Sequence, residues 1–133
     1  MPSIAARASQ SYRHLAVESA ALGGDQHQLV ALMYSAALAS IAKARHALAA
    51  CDIQRKTEEC HRAIRIVDEG LKAVVDRNAG ELARNLYELY DYCVRRLLLA
   101  HAHNDDRMLA EVSHLLGEVS QAWSAIGAKA VPR

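Results

Sequence analysis

The stretch NAGELARNLYELYDYCVRRLLLAHAHN, residues 78–104, decides the fold of this chain. Asn78 and Glu81 stand at the spacing of a capping box, which predicts that a helix starts here. Apolar side chains then recur at steps of three and four residues, so they share one face of that helix. We expect this face to pack in a core. Its members are Leu82, Leu86, Leu89, Cys93, Leu97 and Ala100.

A second apolar stripe runs beside the first on the same helix. It consists of Tyr87, Tyr90, Val94 and Leu98, which lie about 100 degrees further round the helix. A helix in a small bundle needs one apolar face, and this helix has nearly two. The second stripe either fills the core or lines a groove for a partner helix, and the spacing alone does not choose between these alternatives.

Three further helices are predicted: one over residues 25–50, one over residues 53–77 with Asp52 as its cap, and one that ends at residue 127. Residues 104–106 are expected to form the turn after the 78–104 stretch and to cap this last helix. The expected inner face of the first helix is Leu29, Leu32, Met33, Ala36, Ser40, Ala44 and Leu48. The second helix has the most regular apolar row: Ile53, Thr57, Cys60, Ile64, Val67, Leu71 and Val74. The row of the last helix is Leu109, Val112, Leu116, Val119, Trp123 and Ile126.

Long helices joined by short turns must alternate in direction. The predicted fold is therefore all-α, an antiparallel up-down four-helix bundle with an N-terminal arm. Residues 1–24 are expected to form an arm that docks on the bundle, residues 25–127 the bundle, and residues 128–133 a frayed tail. No segment shows the alternation of polar and apolar residues that is typical of a half-buried strand.

Composition excludes several classes of function. The 133 residues include 16 Lys and Arg against 15 Asp and Glu, without a basic cluster, which disfavours a nucleic-acid partner. No apolar run approaches the roughly 18 to 20 residues of a membrane span, and the N-terminus lacks the apolar region of a secretory signal. Cys60 and Cys93 fall at predicted core positions and are expected to be free thiols. These features together favour a cytoplasmic protein.

The strongest enzymatic alternative is a dinuclear metal site. Glu58 with His61, and Glu111 with His114, form the Glu-x-x-His pairs that di-iron bundles use on two of their helices. The predicted first helix carries no glutamate, so one bridging ligand is missing, and both pairs lie beside the apolar rows. We therefore interpret them as solvated polar residues. A metal-dependent oxidase remains an alternative that metal analysis of protein purified without chelator would test.

Other catalytic constellations receive no support from the sequence. His101 and His103 are two residues apart and diverge on a helix, so they are interpreted as a helix end. We find no glycine-flanked serine, no cysteine with a recognisable base and no glycine-rich phosphate loop. The sequence predicts no catalytic, cofactor-binding or metal-binding residues, and no enzyme.

Three segments together carry a resemblance to a known family. They are YRHLAVESAALGGDQHQLVALMY (residues 12–34), LYELYDYCVRRLLLAHAHND (residues 86–105) and EVSHLLGEVSQAW (residues 111–123). As a set, they make residues 12–126 resemble the flagellin export chaperone family, FliS. The tyrosine run, the arginine pair at 95–96 and the later tryptophan carry most of the likeness.

The resemblance implies a cytosolic export chaperone without a cofactor. Such a protein binds the disordered C-terminal region of flagellin, prevents premature polymerisation and delivers it to the flagellar export gate of the type III system. We expect a monomer or weak homodimer whose arm covers part of the client groove. Family motif positions and the second stripe together imply these partner-binding residues: Tyr12, Tyr34, Leu38, Tyr87, Tyr90, Val94 and Leu98. The competing hypothesis is a helical structural or dimerisation module without a client groove.

Overall fold

A computed structural model describes residues 26–130, and the side chains of residues 27–125. It contains four helices: α1 (Gln26–Ala49), α2 (Ile53–Arg65), α3 (Glu81–His103) and α4 (Asp106–Ala130). A π-helical turn, Ile66–Leu71, and a 3-10 turn, Lys72–Val74, continue α2. Over the described range there is no strand, and the all-α prediction is confirmed. The predicted arm, residues 1–24, lies outside the described residues, and so does Tyr12.

Contacts between the ends of α1 and α4 show how these helices run. Arg45, near the end of α1, donates from Nε to Oδ1 of Asp106 at the start of α4, at 2.8 Å. At the opposite end of the bundle, the indole of Trp123 in α4 donates to the carbonyl oxygen of His27 in α1, at 3.0 Å. The start of each helix therefore meets the end of the other. This is the antiparallel arrangement that short turns require.

Two of the predicted helix starts are capped as expected. The Asp52 side chain accepts a hydrogen bond from the backbone N–H of Arg55 at 3.1 Å, which satisfies one of the first free amides of α2. Before α4, the Asp105 side chain accepts from the N–H of Arg107 at 2.9 Å. Asn104 ends α3 with a φ of 52°, a left-handed conformation that asparagine tolerates better than most residues. The sharp turn between α3 and α4 follows from these two side chains.

The start of α3 differs from the prediction. The prediction of a capping box formed by Asn78 and Glu81 is wrong. Asn78 donates its backbone N–H to Oδ1 of Asp76 at 2.9 Å and belongs to the turn before the helix. The residue before the helix is Gly80, with a φ of 124°. Residues with a side chain rarely adopt this backbone conformation, so a glycine is needed where the chain turns into α3.

The core is formed by one row from each helix. The buried rows include Val30, Tyr34, Ala37, Ile41 and Ala44 of α1; Cys60, Ala63, Val67 and Leu71 of α2 and its π turn; Tyr90, Cys93, Val94, Leu97 and Ala100 of α3; and Leu109, Val112 and Leu116 of α4. The predicted rows of α2 and α4 agree with this core, although Ile53 is 48% exposed. The predicted faces of α1 and α3 are wrong in part, since Leu32 is 65% exposed and Leu82 is 70% exposed.

The end of α2 is irregular, and this shapes one end of the bundle. The helical turns stop at Val74, three residues before the predicted end. Gly70 in the π turn lies against α1, where a Cβ built on it would come within 2.8 Å of the sulfur of Met33. The fourth helix continues past the predicted end to Ala130. None of the described helices combines the length and apolar character needed to cross a membrane.

Candidate functional site

Tyr34 of α1 and Tyr90 of α3 meet inside the bundle. Their exposed fractions are 1% and 2%, and their hydroxyl groups hydrogen-bond to each other. Burial raises the pKa of both phenols above the ordinary value, so both are neutral at physiological pH. Each hydroxyl is the hydrogen-bond partner of the other, so these two polar groups lie in an apolar interior without an unpaired donor.

These two tyrosines line a cavity of about 430 Å³ at the end of the bundle where α1 begins and α4 ends. We call this cavity the end socket. Its walls are mostly apolar, and they include Val30, Val74, Val75, Ala83, Leu86 and Trp123. The 3-10 turn ends at Val74, and the connection from there to Gly80 forms one side of this cavity. The volume is that of a small ligand pocket and accommodates a large aliphatic or aromatic side chain.

Trp123 forms a fixed wall of the end socket. Its ring stacks on the imidazole of His27, with ring centres 4.5 Å apart and planes 7° from parallel. The indole N–H also donates to the His27 carbonyl oxygen. The one carboxylate in the described lining belongs to Asp76, which is hydrogen-bonded within its own turn. The end socket therefore offers an apolar, preformed surface rather than a reactive one.

A second concave surface lies on the neighbouring stripe of α3, around Tyr87. This Tyr87 cleft has a volume of about 600 Å³ and is lined by Arg77, Asn78, Arg84, Tyr87, Glu88, Asp91 and Arg95. The guanidinium of Arg77 lies 4.6 Å from the centre of the Tyr87 ring, and Nζ of Lys72 lies 5.2 Å from it. Both distances are within the range of cation–π attraction. Two cations therefore lie close to the Tyr87 ring.

Lys72 lies beside the Tyr87 ring and bonds to Asp91, which lines this cleft. It is 9% exposed and donates to Asp91 at 3.0 Å and to Asp68 at 3.4 Å. Burial opposes its charge, but the hydrogen bond to Asp91 and the neighbouring negative groups raise the pKa of Lys72 overall. Asp91 also accepts from Arg95 at 2.7 Å. The lysine therefore remains a cation, and it ties the end of α2 to α3.

The structure divides the predicted partner-binding residues among different environments. Tyr34 and Tyr90 line the end socket, and Tyr87 lies in the cleft that carries its name. Val94 is 9% exposed and Leu98 is 49% exposed. The remaining described position, Leu38, is partly buried against the core. The second stripe of α3 is therefore not one continuous exposed groove.

Sequence reasoning missed several residues that shape these surfaces. Trp123 and Leu86 were predicted only as core residues, and His27 and Arg77 received no role. The available signal for Trp123 was its place at the end of the α4 row, where a large aromatic residue extends beyond the tightly packed middle of the bundle. The backbone shape of the α2–α3 connection left no periodic signal that could have located the end socket.

Several of the residues considered for a metal site are engaged in other contacts. Glu111 accepts from the hydroxyl of Tyr92 at 2.6 Å and from Nε of Arg96 at 2.8 Å. Nδ1 of His101 lies 2.9 Å from Nζ of Lys56. Burial, together with the charge of that lysine, lowers the pKa of His101. In the described part of the chain, no group of three His, Cys, Asp or Glu residues is arranged to hold a metal ion.

Comparisons with known proteins all point to one family. A family model described as "Flagellar protein FliS" matches residues 6–130. The flagellar secretion chaperone FliS of Salmonella typhimurium is 41% identical over 122 residues, which cover 91% of this chain and 90% of that protein. FliS of Escherichia coli is 35% identical, with 90% and 88% covered, and FliSB of Pseudomonas aeruginosa is 34% identical, with 92% and 97% covered. These relatives are named as chaperones and not as enzymes.

Proposed function

This chain belongs to the FliS family of flagellar proteins, and from that premise we propose that it binds the disordered C-terminal region of flagellin as an export chaperone. In this role it acts in the cytosol as a monomer or weak homodimer. It prevents premature polymerisation of flagellin and keeps the client competent for the flagellar type III export gate. It needs no cofactor for this function.

The end socket is the observation that carries this proposal. A cavity of about 430 Å³ with valine, leucine and tryptophan walls matches the anchor pockets in which amphipathic segments place one large apolar side chain. The hydroxyls of Tyr34 and Tyr90 already pair with each other, so an apolar anchor would leave neither hydroxyl unpaired. Binding at this site therefore carries no desolvation cost from these two phenols.

Leu98 provides a further contact on α3. Its exposed fraction of 49% places a large apolar side chain in solvent two turns beyond the Tyr90 position. A client segment that folds as it binds must offset its ordering cost by burying roughly 1,000 to 3,000 Å². A socket alone is too small for this, so we propose that the client extends along α3 from the end socket to Leu98.

The residues before α1 have a proposed role in this mechanism. The arm of residues 1–24, with Tyr12, covers part of the client surface in the free protein and leaves it when flagellin arrives. Hydrogen exchange of the arm tests this role, and lower protection in the free chain than in the complex would contradict it. Equal protection in the two states would also count against a gating arm.

The proposed function is tested by titrating the purified full chain with the C-terminal segment of its cognate flagellin. We expect saturable heat in calorimetry and a gain of helicity in circular dichroism, because the disordered segment folds on binding. Trp123 is the only tryptophan in the chain and lines the end socket, so its emission should shift in the same titration. A scrambled segment of equal composition is the control.

The substitution Leu86→Ala identifies the site. Leu86 lines the end socket, whereas Leu32 is 65% exposed on α1 and is not in the lining, so Leu32→Ala is the matched control. Weaker binding by Leu86→Ala alone supports the end socket. If the unsubstituted chain gives no heat, no added helix and no change in emission, the chaperone proposal fails and only a helical bundle remains.

A further inference from the structure

We propose that the Tyr87 cleft binds acidic side chains of the client segment, so that the chaperone recognises carboxylates beside apolar anchors. This inference rests on the proposed function and adds a second chemistry to the same binding surface. The end socket and the Tyr87 cleft lie on neighbouring stripes of the first turns of α3. A segment that crosses these turns meets both surfaces.

The environment of Tyr87 argues against a purely apolar contact there. The electron-rich face of an aromatic ring attracts cations, and Arg77 and Lys72 lie 4.6 Å and 5.2 Å from its centre. An apolar client side chain stacked on this ring would compete with both cations. A client carboxylate beside the same cations would instead be attracted by their positive charge. Tyr87 is therefore better described as a support for Arg77 than as an apolar anchor.

The charges in the cleft leave positive groups available. Asp91 is already bonded to Lys72 at 3.0 Å and to Arg95 at 2.7 Å. Arg77 contacts an aromatic ring rather than an acid. The guanidinium of Arg84 has no hydrogen-bonding or charged partner among the described residues. Guanidinium groups bind carboxylates through paired N–H donors in a planar fork, which makes them the favoured recognition group for an acidic side chain.

The negative groups in and around the cleft reduce this surplus without removing it. Glu88 also lines the cleft, and its carboxylate has no partner among the residues that the structure describes. Asp68 shares Lys72 with Asp91. The lining itself carries three arginines against Glu88 and Asp91, so its net charge is positive by one. The neighbouring pair of Lys72 and Asp68 leaves this balance unchanged. The charge is modest, so we expect electrostatics to adjust affinity and position rather than to supply most of the binding.

The extent of the cleft favours side chains over the client's terminal carboxylate. Arg84 and Arg95 are eleven residues apart on one helix, a distance of about 16 Å along its axis at about 1.5 Å per residue. One terminal carboxylate reaches a single guanidinium over such a span. Leu98 follows Arg95 by three residues and is on the same side of α3. The expected client pattern is an acidic residue about one helical turn from an apolar one.

The test compares binding of the cognate flagellin C-terminal segment by the full chain and two charge-matched variants. Arg77→Gln/Arg84→Gln removes both available guanidiniums. Arg62→Gln/Arg107→Gln removes the same charge from exposed positions outside the cleft. Calorimetry at about 50 mM and 500 mM NaCl measures affinity and its salt dependence, and thermal unfolding verifies that both variants fold. The single variant Arg84→Gln is included because it breaks no side-chain hydrogen bond or ion pair in the described structure.

We expect the cleft variant to lose roughly three- to tenfold in affinity at low salt, the effect of one or two half-exposed ion pairs. Its salt dependence should shrink, and the control variant should retain near-normal binding. Segments in which Asp and Glu are replaced by Asn and Gln should lose affinity for the unsubstituted chain but not for the cleft variant. A segment with an amidated C-terminus should bind normally.

The outcomes separate this inference from the function on which it rests. No binding by the unsubstituted chain would overturn the proposed function. Normal binding that Arg77→Gln/Arg84→Gln leaves unchanged, or weakens no more than the control variant does, would overturn only the carboxylate role. Loss of affinity on amidating the client terminus, with no effect of the acidic side chains, would overturn the assignment to side chains.

Discussion

The hydroxyl groups of Tyr34 and Tyr90, 56 positions apart in the chain, are each other's hydrogen-bond partner in the bundle interior, and no other partner is found among the described residues. Removing one hydroxyl leaves the other buried and unpaired, which costs about 1 to 3 kcal/mol. We therefore expect Tyr34→Phe and Tyr90→Phe each to lower the free energy of unfolding by about that amount.

The double variant distinguishes pairing from simple loss of polar atoms. Tyr34→Phe/Tyr90→Phe removes donor and acceptor together, so its cost should be clearly smaller than the sum of the two single costs. Urea denaturation of the four proteins at neutral pH measures this coupling. Strictly additive costs would mean that each hydroxyl acts independently, against the pairing seen here.

The buried thiols predict a loss of stability at alkaline pH. Burial raises the pKa of Cys60, and it raises the pKa of Cys93 to about 12, above the 9.0 of an unperturbed thiol. Because the folded pKa is higher, the contribution is fully present below about pH 9 and is lost as the pH rises towards the folded value. Between these two pH values the free energy of unfolding should fall by about 1.4 kcal/mol per pH unit for Cys93, and Cys60 should contribute in the same direction.

Urea denaturation between pH 8 and pH 11 checks this expectation. Cys93→Ala removes one of these thiols and should reduce the slope of unfolding free energy against pH, although it lowers stability at pH 8 by leaving a small cavity. Cys51 is exposed, so Cys51→Ala is the matched control and should retain the slope of the unsubstituted chain. An unchanged slope in Cys93→Ala would contradict the assignment.

Glu111 predicts a dependence of stability on acid pH. The hydroxyl of Tyr92 and the guanidinium of Arg96 hold the pKa of its carboxyl below the usual range. A lowered folded pKa gives stability that is present above about pH 4.5 and is lost as the pH falls through the folded pKa. The side chain is 37% exposed, so we expect Glu111→Gln to cost no more than about 1 kcal/mol at neutral pH.

Chemical denaturation at pH 7 and at about pH 3 tests the role of Glu111. The difference in stability between Glu111→Gln and the unsubstituted chain should narrow at the lower pH, because protonation of the Glu111 carboxyl removes its charge. Glu58 is exposed on α2, and its side chain makes no hydrogen bond or ion pair in the described structure, so Glu58→Gln should not change stability at either pH. A difference that stays constant with pH would show that packing, and not charge, is lost.

Leu98 and Leu99 provide a matched pair for testing the client surface. Their exposed fractions are similar, 49% and 42%, but they point about 100 degrees apart on α3. Leu98→Asp should weaken binding of the flagellin segment by tenfold or more, because it places a charge against an apolar contact. Leu99→Asp should have little effect. Equal effects of the two substitutions in calorimetry would remove Leu98 from the proposed surface.

The parts of the fold that were predictable are those with one unambiguous apolar row. The α2 row has polar residues on its other faces, and its central members Cys60 and Val67 are fully buried, as the spacing indicated. In α1, small and apolar residues occur on most faces, so the spacing does not define a single inward face. The structure buries Val30, Tyr34 and Ile41 there, and turns Leu32 to solvent.

The candidate site was less predictable because it depends on the ends of elements. Tyr87 and Tyr90 belong to the same predicted stripe of α3. Tyr90 is nevertheless buried against Tyr34, whereas the ring of Tyr87 lies beside Lys72 and Arg77. That difference follows from the π turn and the early end of α2, which determine where Lys72 and Arg77 lie. Neither feature has a periodic signature, so the residues could be selected from the sequence but their environments could not.

The sequence by itself determined four helices, two of their caps and the family, because these depend on local spacing, on local hydrogen bonds and on residues that can be read in order. Only the tertiary structure decided which tyrosines are buried, where the end socket opens and which arginines are available. Those properties depend on the distances between side chains that are far apart in the chain. Such distances are set by the packing of whole helices, which no local pattern encodes.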